Sequence, residues 1–280
     1  MTITPPPPTD LHGLVAAYAD TSGSVLALAE GLGPGEEDLP TDCPGWTVLD
    51  QVRHVLSVEG MLLGEPMPDV DVSGHAHVRH DFGALVEKYL EGRRGRSADR
   101  VVEELRTTRA ARLAALTAPG LTLESPADGP FGRTSLGALL ELRTFDIWTH
   151  EQDLREALDR PGGLGTAAAS VALARTLQAL PKAIAASGAV RAGDTTAVTV
   201  AGPVSASSVL GWHEVDGRLR GLPADGGAVP VDALRVETDT RAFARLTAGR
   251  WTAERFAEQA RLGGDAEALA RLLPALAITP

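Results

Sequence analysis

A chain of 280 residues has room for one large domain or two modest ones, each able to bury its own core. Its hydrophobic share of 44% and charged share of 22% are ordinary for a globular protein, and no apolar run approaches the length that a bilayer span requires. The formal net charge of −11 argues against a basic nucleic-acid-binding surface, and the single cysteine, Cys43, excludes an internal disulfide or a cysteine-rich zinc site. The opening MTITPPPPTDL has neither the basic nor the apolar segment of a secretory signal, so a cytoplasmic location is expected.

In chain order, PPPPT at 5–9 is a stiff leader, expected to be disordered or extended. Asp10 to about Gly31 reads as a helix, followed by the Gly/Pro-rich loop GLGPGEEDLPTDCPGW. A second helix starts sharply at TVLDQVRHVLSVEGMLL, where Thr47 and Asp50 have the spacing of a capping box. A third helical stretch runs from about Asp81 to Leu116 with an interruption at GRRGRS. Residues 117–134 are rich in Pro, Gly and Ser and read as a loop. The fourth long helix is SLGALLELRTFDIWTHEQDLREAL, ended by RPGGLG. Four helices joined by loops predict a helix bundle over residues 1–162.

Beyond this point TAAASVALARTLQAL is one more helix, stopped or kinked near Pro181. AVTVAG, VLGWHEV, RLRGL and ALRVET read as short strands, with Asp216-Gly217 as a hairpin turn, and helices follow at about 239–248, 252–260 and 265–273. The fold class is thus mainly α with a smaller α+β domain over residues 163–280.

The fourth helix carries the chemistry. Leu139, Leu142, Asp146, His150, Asp153 and Ala157 follow at steps of three or four and form one stripe, which begins apolar and turns polar in its middle. A buried carboxylate or imidazole without a partner costs several kcal/mol, roughly, so something must compensate the pair. A divalent cation does so, since it binds neutral imidazole and carboxylate directly. The third ligand must come from another helix, and His54 is the best placed, on a second apolar stripe with Val58 and Met61. Three protein ligands leave one coordination position open, as in catalytic sites. An Asp-x3-His pair also stabilises helices without any ion, so the spacing alone leaves both readings open.

Other residues compete for attention. Cys43 precedes a helix start, where a thiol pKa falls, although the turn around it has a structural reading. His75, His77 and His80 form an H-x-H-x2-H cluster that reads as a solvated linker or, alternatively, as a lid in which Arg79 meets an anionic substrate. Arg250 is a second candidate anion partner. Asp153 shares the stripe and reads either as a hydrogen-bond acceptor for a ligand imidazole or as an ordinary intrahelical or interdomain contact.

The segments T-x-C-P-G-W-T-V at 41–48, leading to His54, and D-I-W-T-H-E-Q-D-L-R at 146–155 resemble the mycothiol-dependent maleylpyruvate isomerase family. The likeness covers most of residues 10–160, and GDAEALARLLPALAITP is similar to that family's C-terminal domain. It implies a DinB-like metal-binding four-helix bundle followed by a sterol-carrier-like α+β domain. The family's ligand set, a His on the second helix and a Glu-x3-His on the fourth, falls on His54, Asp146 and His150, with aspartate one methylene shorter than the family's glutamate. The resemblance further implies a divalent metal, Zn2+ first, and mycothiol as cosubstrate. The thiolate would attack a small-molecule electrophile, as an S-transferase or as a cis–trans isomerase. Two rivals belong to other classes: a metal-containing binding or regulatory protein without turnover, and a metal-dependent hydrolase, which a carboxylate base would favour, although Glu59, Glu151 and Asp153 are not clearly placed for that role.

Overall fold

The computed structural model describes residues 1–78, 81–224 and 229–279. They form two compact units, Pro8–Gly163 and a second made of Met1–Pro7 with Leu164–Pro280. Strand β1 (Thr2–Thr4) opens the chain, and its antiparallel pairing lies within the second unit. Residues 2–4, inside the expected bundle range of 1–162, spend their backbone hydrogen bonds on a sheet edge instead, and the Ser170 hydroxyl donates to the Pro5 carbonyl at 2.9 Å.

In the unit Pro8–Gly163 the helices are α1 (Leu11–Glu30), α2 (Val48–Leu62), α3 (Asp81–Arg94), α4 (Ala98–Leu116) and α5 (Leu136–Ala157). Their starts are set by side chains that satisfy the orphan amides of the first turn: Asp10, Thr47, Ser97 and Ser135 each accept from the backbone three residues on. Thr47 and Asp50 make the reciprocal capping box that their spacing predicts. The expected break at GRRGRS divides the third stretch into α3 and α4. Helix α2 packs on α1, α3, α4 and α5, so it is the centre of the unit and is buried on every side from Val48 to Gly60. That burial explains why its sequence carries two apolar stripes.

The stretch read as a loop at 117–134 contains a structural correction. Strands β2 (Pro126–Gly129) and β3 (Gly132–Ser135) form an antiparallel hairpin, in register from Pro126↔Ser135 to Gly129↔Gly132. Its strands are too short and polar to show alternation, which is why the sequence pattern misses them.

In the second unit, helix α6 (Ala167–Ala186) runs through Pro181 rather than stopping there. Strands β4 (Thr195–Ala201), β5 (Ser205–Val215), β6 (Arg218–Pro223) and β7 (Leu234–Asp239) follow the four strand-like segments. Helices α7 (Thr240–Thr247), α8 (Ala253–Ala257) and α9 (Ala266–Ala275) close the chain, with a short unexpected strand β8 (Arg261–Gly263) between the last two. The sheet order is β1-β5-β4-β7-β8, with β6 also on β5 and β4 parallel to β7. Asp216 and Gly217, at φ 51° and 67°, form the two-residue turn between β5 and β6. Among the described residues no helix is long and apolar enough to cross a membrane.

Because α2 is central, its cap should matter to the whole N-terminal unit. Thr47→Ala is expected to cost about 1 kcal/mol, read as a lowered urea midpoint, and Thr47→Ser to retain most of it.

Candidate metal centre

The turn ahead of α2 fixes the first wall of the site. Pro44 and Gly45 are its central residues, with Gly45 at φ 80° and the Trp46 amide donating to the Cys43 carbonyl at 3.1 Å. This is the backbone of a type II turn, which requires a positive φ at the second position. A Cβ on Gly45 would also lie 2.5 Å from His77 Nδ1, so glycine is needed here twice over. The turn throws the Trp46 ring over two imidazoles, with centroids 5.0 Å from His54 and 5.8 Å from His150.

His54 comes from the middle of α2, and Asp146 and His150 from adjacent turns of α5. His54 Nε2 lies 3.3 Å from Asp146 Oδ2, and His150 Nε2 lies 3.8 Å from Asp146 Oδ1. One donor atom from each of the three side chains falls within 4.8 Å of the others. Both imidazoles are buried and Asp146 is half-buried.

Charge around the triad is balanced by two arginines. Arg143, one turn before Asp146, donates from Nη1 to Asp146 Oδ2 at 2.7 Å and from Nε to Glu59 Oε1 at 2.8 Å. Arg112 Nε and the Tyr18 hydroxyl both donate to Glu59 Oε2, at 2.8 and 2.7 Å. Burial opposes ionisation of both carboxyls, but Arg143 outweighs it, helped by Arg112 at Glu59 and by the His54 hydrogen bond at Asp146. Asp146 is thereby held well below the usual carboxylate range, and Glu59 is lowered too. Burial and the neighbouring His150 push His54 down to about 4, so this imidazole is neutral at physiological pH. Neutral imidazole and ionised carboxylate are the protonation states that bind a metal.

His150 Nδ1 faces away from Asp146. Gln51 Oε1 is 2.6 Å from it, and Asp153 Oδ2 is 3.4 Å from it. The sequence assigns this contact to Asp153. The structure places Asp153 beside the ring, fully buried, but gives Gln51 the shorter contact. Gln51, Trp46, Arg143 and Tyr18 are not singled out as site residues by sequence pattern, and Glu59 is weighed there only as a hydrolytic base. Arg143 had the clearest signal, since it lies three residues before Asp146 on the same helix.

The remaining candidates fall elsewhere. Arg79 and His80 lie outside the described residues. Arg250, in the other unit, donates from Nη1 to the Ala248 carbonyl at 2.8 Å, where the chain leaves α7. Cys43 sits in the turn with its amide on Thr41 Oγ1 at 3.2 Å. Glu151 accepts from Thr21 Oγ1 at 2.7 Å and from Arg155 Nε at 2.8 Å. His75 and His77 are partly buried rather than solvated, because both face the buried carboxylate of Glu87, at 3.7 and 2.9 Å. With Glu87 they form a second group of potential donors. Its carboxylate, however, already meets Arg94 Nη2 at 2.7 Å and accepts from Trp46 Nε1 at 3.1 Å. That cluster is a latch, tying the loop to the tryptophan over the triad.

Residues 18–155 match the family described as mycothiol maleylpyruvate isomerase N-terminal domain. No curated protein matches the chain. Crystal structures of the mycothiol-dependent maleylpyruvate isomerase and of a histidine-to-alanine mutant of it share the fold, each with a TM-score of 0.51 at 16% identity. The superpositions cover 90% of this chain and 92% of those chains.

Two outcomes follow from the charges. Glu59→Gln should destabilise the N-terminal unit by about 3–5 kcal/mol in chemical denaturation, because two buried guanidinium groups lose their counter-charge. In chelator-treated protein, unfolded His54 takes its proton near pH 6.5 but the folded side chain only near 4. Its contribution is complete above the higher value and is lost as pH falls towards the lower one. Stability should drop by on the order of 3 kcal/mol across that window, and His54→Gln should flatten the slope.

Proposed function

The chain belongs, through its N-terminal unit, to the mycothiol maleylpyruvate isomerase family, and from that premise we propose a metal-dependent, mycothiol-dependent enzyme. It activates the thiol for addition to a small-molecule electrophile, as an S-transferase or a cis–trans isomerase. The single observation that carries this reading is the convergence of His54, Asp146 and His150 from two helices onto one spot. The donor set fits a divalent cation, since it offers two imidazoles, that of His54 neutral, and one carboxylate held ionised. Zinc is the first choice for such ligands. A bound cation of this kind lowers the pKa of a coordinating thiol, which is the chemistry the site needs from it.

The chain's own residues prepare the place. Arg143 keeps Asp146 charged while engaging Oδ2, which leaves Oδ1 towards His150. Trp46 covers one side of both imidazoles and excludes water there. In the isomerase form of the reaction, sulfur adds to one carbon of a cis double bond, the resulting single bond rotates, and expulsion of the thiol restores the double bond. In the transferase form the new carbon–sulfur bond is kept.

A carboxylate base beside the same ligands would favour a hydrolase. Glu59 and Glu151 are both committed to cationic partners, so the hydrolytic reading lacks the support that the thiol reading has. Cys43 is proposed to have no part in the chemistry.

Metal analysis tests the centre. Purified wild type and Cys43→Ser are expected to carry stoichiometric metal, and His150→Ala to lose it while keeping its helical circular dichroism. Equal metal in all three sinks the assignment. Turnover of electrophiles that is the same with and without mycothiol would remove both the transferase and the isomerase.

A further inference from the structure

We infer that Gln51, oriented by Thr41, is a positioning residue that holds His150 in its Nδ1-protonated form and so presents Nε2 as a bare lone pair. The inference rests on the metal reading proposed above, but the tautomer itself is a property of the metal-free chain.

Counting protons along one hydrogen-bonded path leads to it. Thr41 has one hydroxyl proton, and Oγ1 donates it to the Trp46 carbonyl at 2.9 Å. Oγ1 is then an acceptor towards its other neighbours, the Cys43 amide at 3.2 Å and Gln51 Nε2 at 2.8 Å. The Gln51 amide therefore turns its nitrogen to Thr41 and its oxygen to His150. Oε1 has no proton to give, so the 2.6 Å contact with His150 requires the hydrogen to sit on Nδ1. A neutral ring protonated there carries its lone pair on Nε2, the atom that faces Asp146. The Asp153 carboxylate, 3.4 Å from Nδ1, favours the same proton position through its charge.

The inner end of the path is dry, since Gln51 is 0% exposed and His150 6%, so water does not compete for the bond between them. The path begins at the carbonyl of Trp46, the last residue of the rigid Cys43–Trp46 turn. The threonine and the turn of T-x-C-P-G-W thus act on a ligand more than a hundred residues away in the chain. His54 differs: its Nδ1 is buried with no hydrogen-bond partner, while its Nε2 lies 3.3 Å from Asp146 Oδ2, an acceptor that draws the ring proton to Nε2 in the metal-free chain.

The test uses full-length, chelator-treated protein and two-bond 1H–15N spectra of the histidine rings, with His150 assigned by its loss in His150→Asn. Wild type should show His150 predominantly protonated at Nδ1. In Gln51→Leu the population should shift towards Nε2 protonation, and zinc affinity should fall about 10–100-fold, as when other hydrogen-bond partners of ligand imidazoles are removed. Gln51→Glu, which still accepts from Nδ1, should restore the tautomer and most of the affinity. A role in packing alone would not separate Glu from Leu. Thr41→Val, which frees the amide to turn over, should fall between the two.

Wild-type His150 found mainly protonated at Nε2 would overturn the inference. So would Gln51→Leu that keeps both tautomer and zinc affinity. Should no variant and no wild type bind zinc, the proposed function fails, while the ring spectra still decide the tautomer separately.

Discussion

One guanidinium ties together two carboxylates inside the N-terminal unit, the buried Glu59 and the half-buried Asp146. Arg143 reaches Glu59 with one nitrogen and Asp146 with another, and Arg112 completes the pairing at Glu59. Leaving either carboxylate unpaired inside a helix bundle would cost several kcal/mol, roughly, and would favour its protonation. With the arginines present, both carry full charge, and the charges of Glu59 and Asp146 are matched before any ion arrives. A cation held by His54, Asp146 and His150 would meet a carboxylate already shared with Arg143. Such a donor neutralises the ion less than a free one, which leaves more attraction for an anionic sulfur ligand. The proposed chemistry and the structural ion pairs are in this sense one electrostatic arrangement.

The turn at Cys43–Trp46 is the second organising element. Its geometry needs a positive φ at Gly45, and the close approach of His77 forbids a side chain there. From that turn the Trp46 ring packs on both imidazoles, while its indole nitrogen is held by Glu87. Glu87 in turn meets His75, His77 and Arg94. The loop at 71–78 is thereby coupled to the two imidazoles through the Trp46 side chain, although its sequence reads as a solvated linker.

What was legible in the sequence follows the range of the interactions. The long helices declare themselves through apolar periodicity and through caps such as Thr47 and Ser135, all of which act within a few residues. His54 could be chosen because a helix buried on every side shows two apolar stripes, and a polar residue on one of them asks for a partner. The β2–β3 hairpin stayed hidden because four-residue polar strands have no period to read. Gln51 stayed hidden for a different reason: its meaning depends on His150, which comes from a distant part of the chain, and no local pattern marks that pairing. Asp153, which shares the stripe, drew the assignment that the shorter contact gives to Gln51. Strand β1 joined the second unit through pairing with β5, a contact across some two hundred residues that a proline-rich leader does not advertise.

The state of the glutamates bears on which nucleophile such a centre suits. Glu59 accepts three hydrogen bonds from Tyr18, Arg112 and Arg143, and its pKa is lowered, which makes it a poor proton acceptor. Glu151 is held by Thr21 and Arg155. Water is a far weaker acid than a thiol, and a divalent ion brings it down only to about 7, so a neighbouring base still helps to make it a nucleophile at neutral pH. A thiol starts near 8.5, so a divalent ion alone can take it below physiological pH. A centre whose nearby glutamates are spent on structure is therefore better matched to a nucleophile that brings its own acidity.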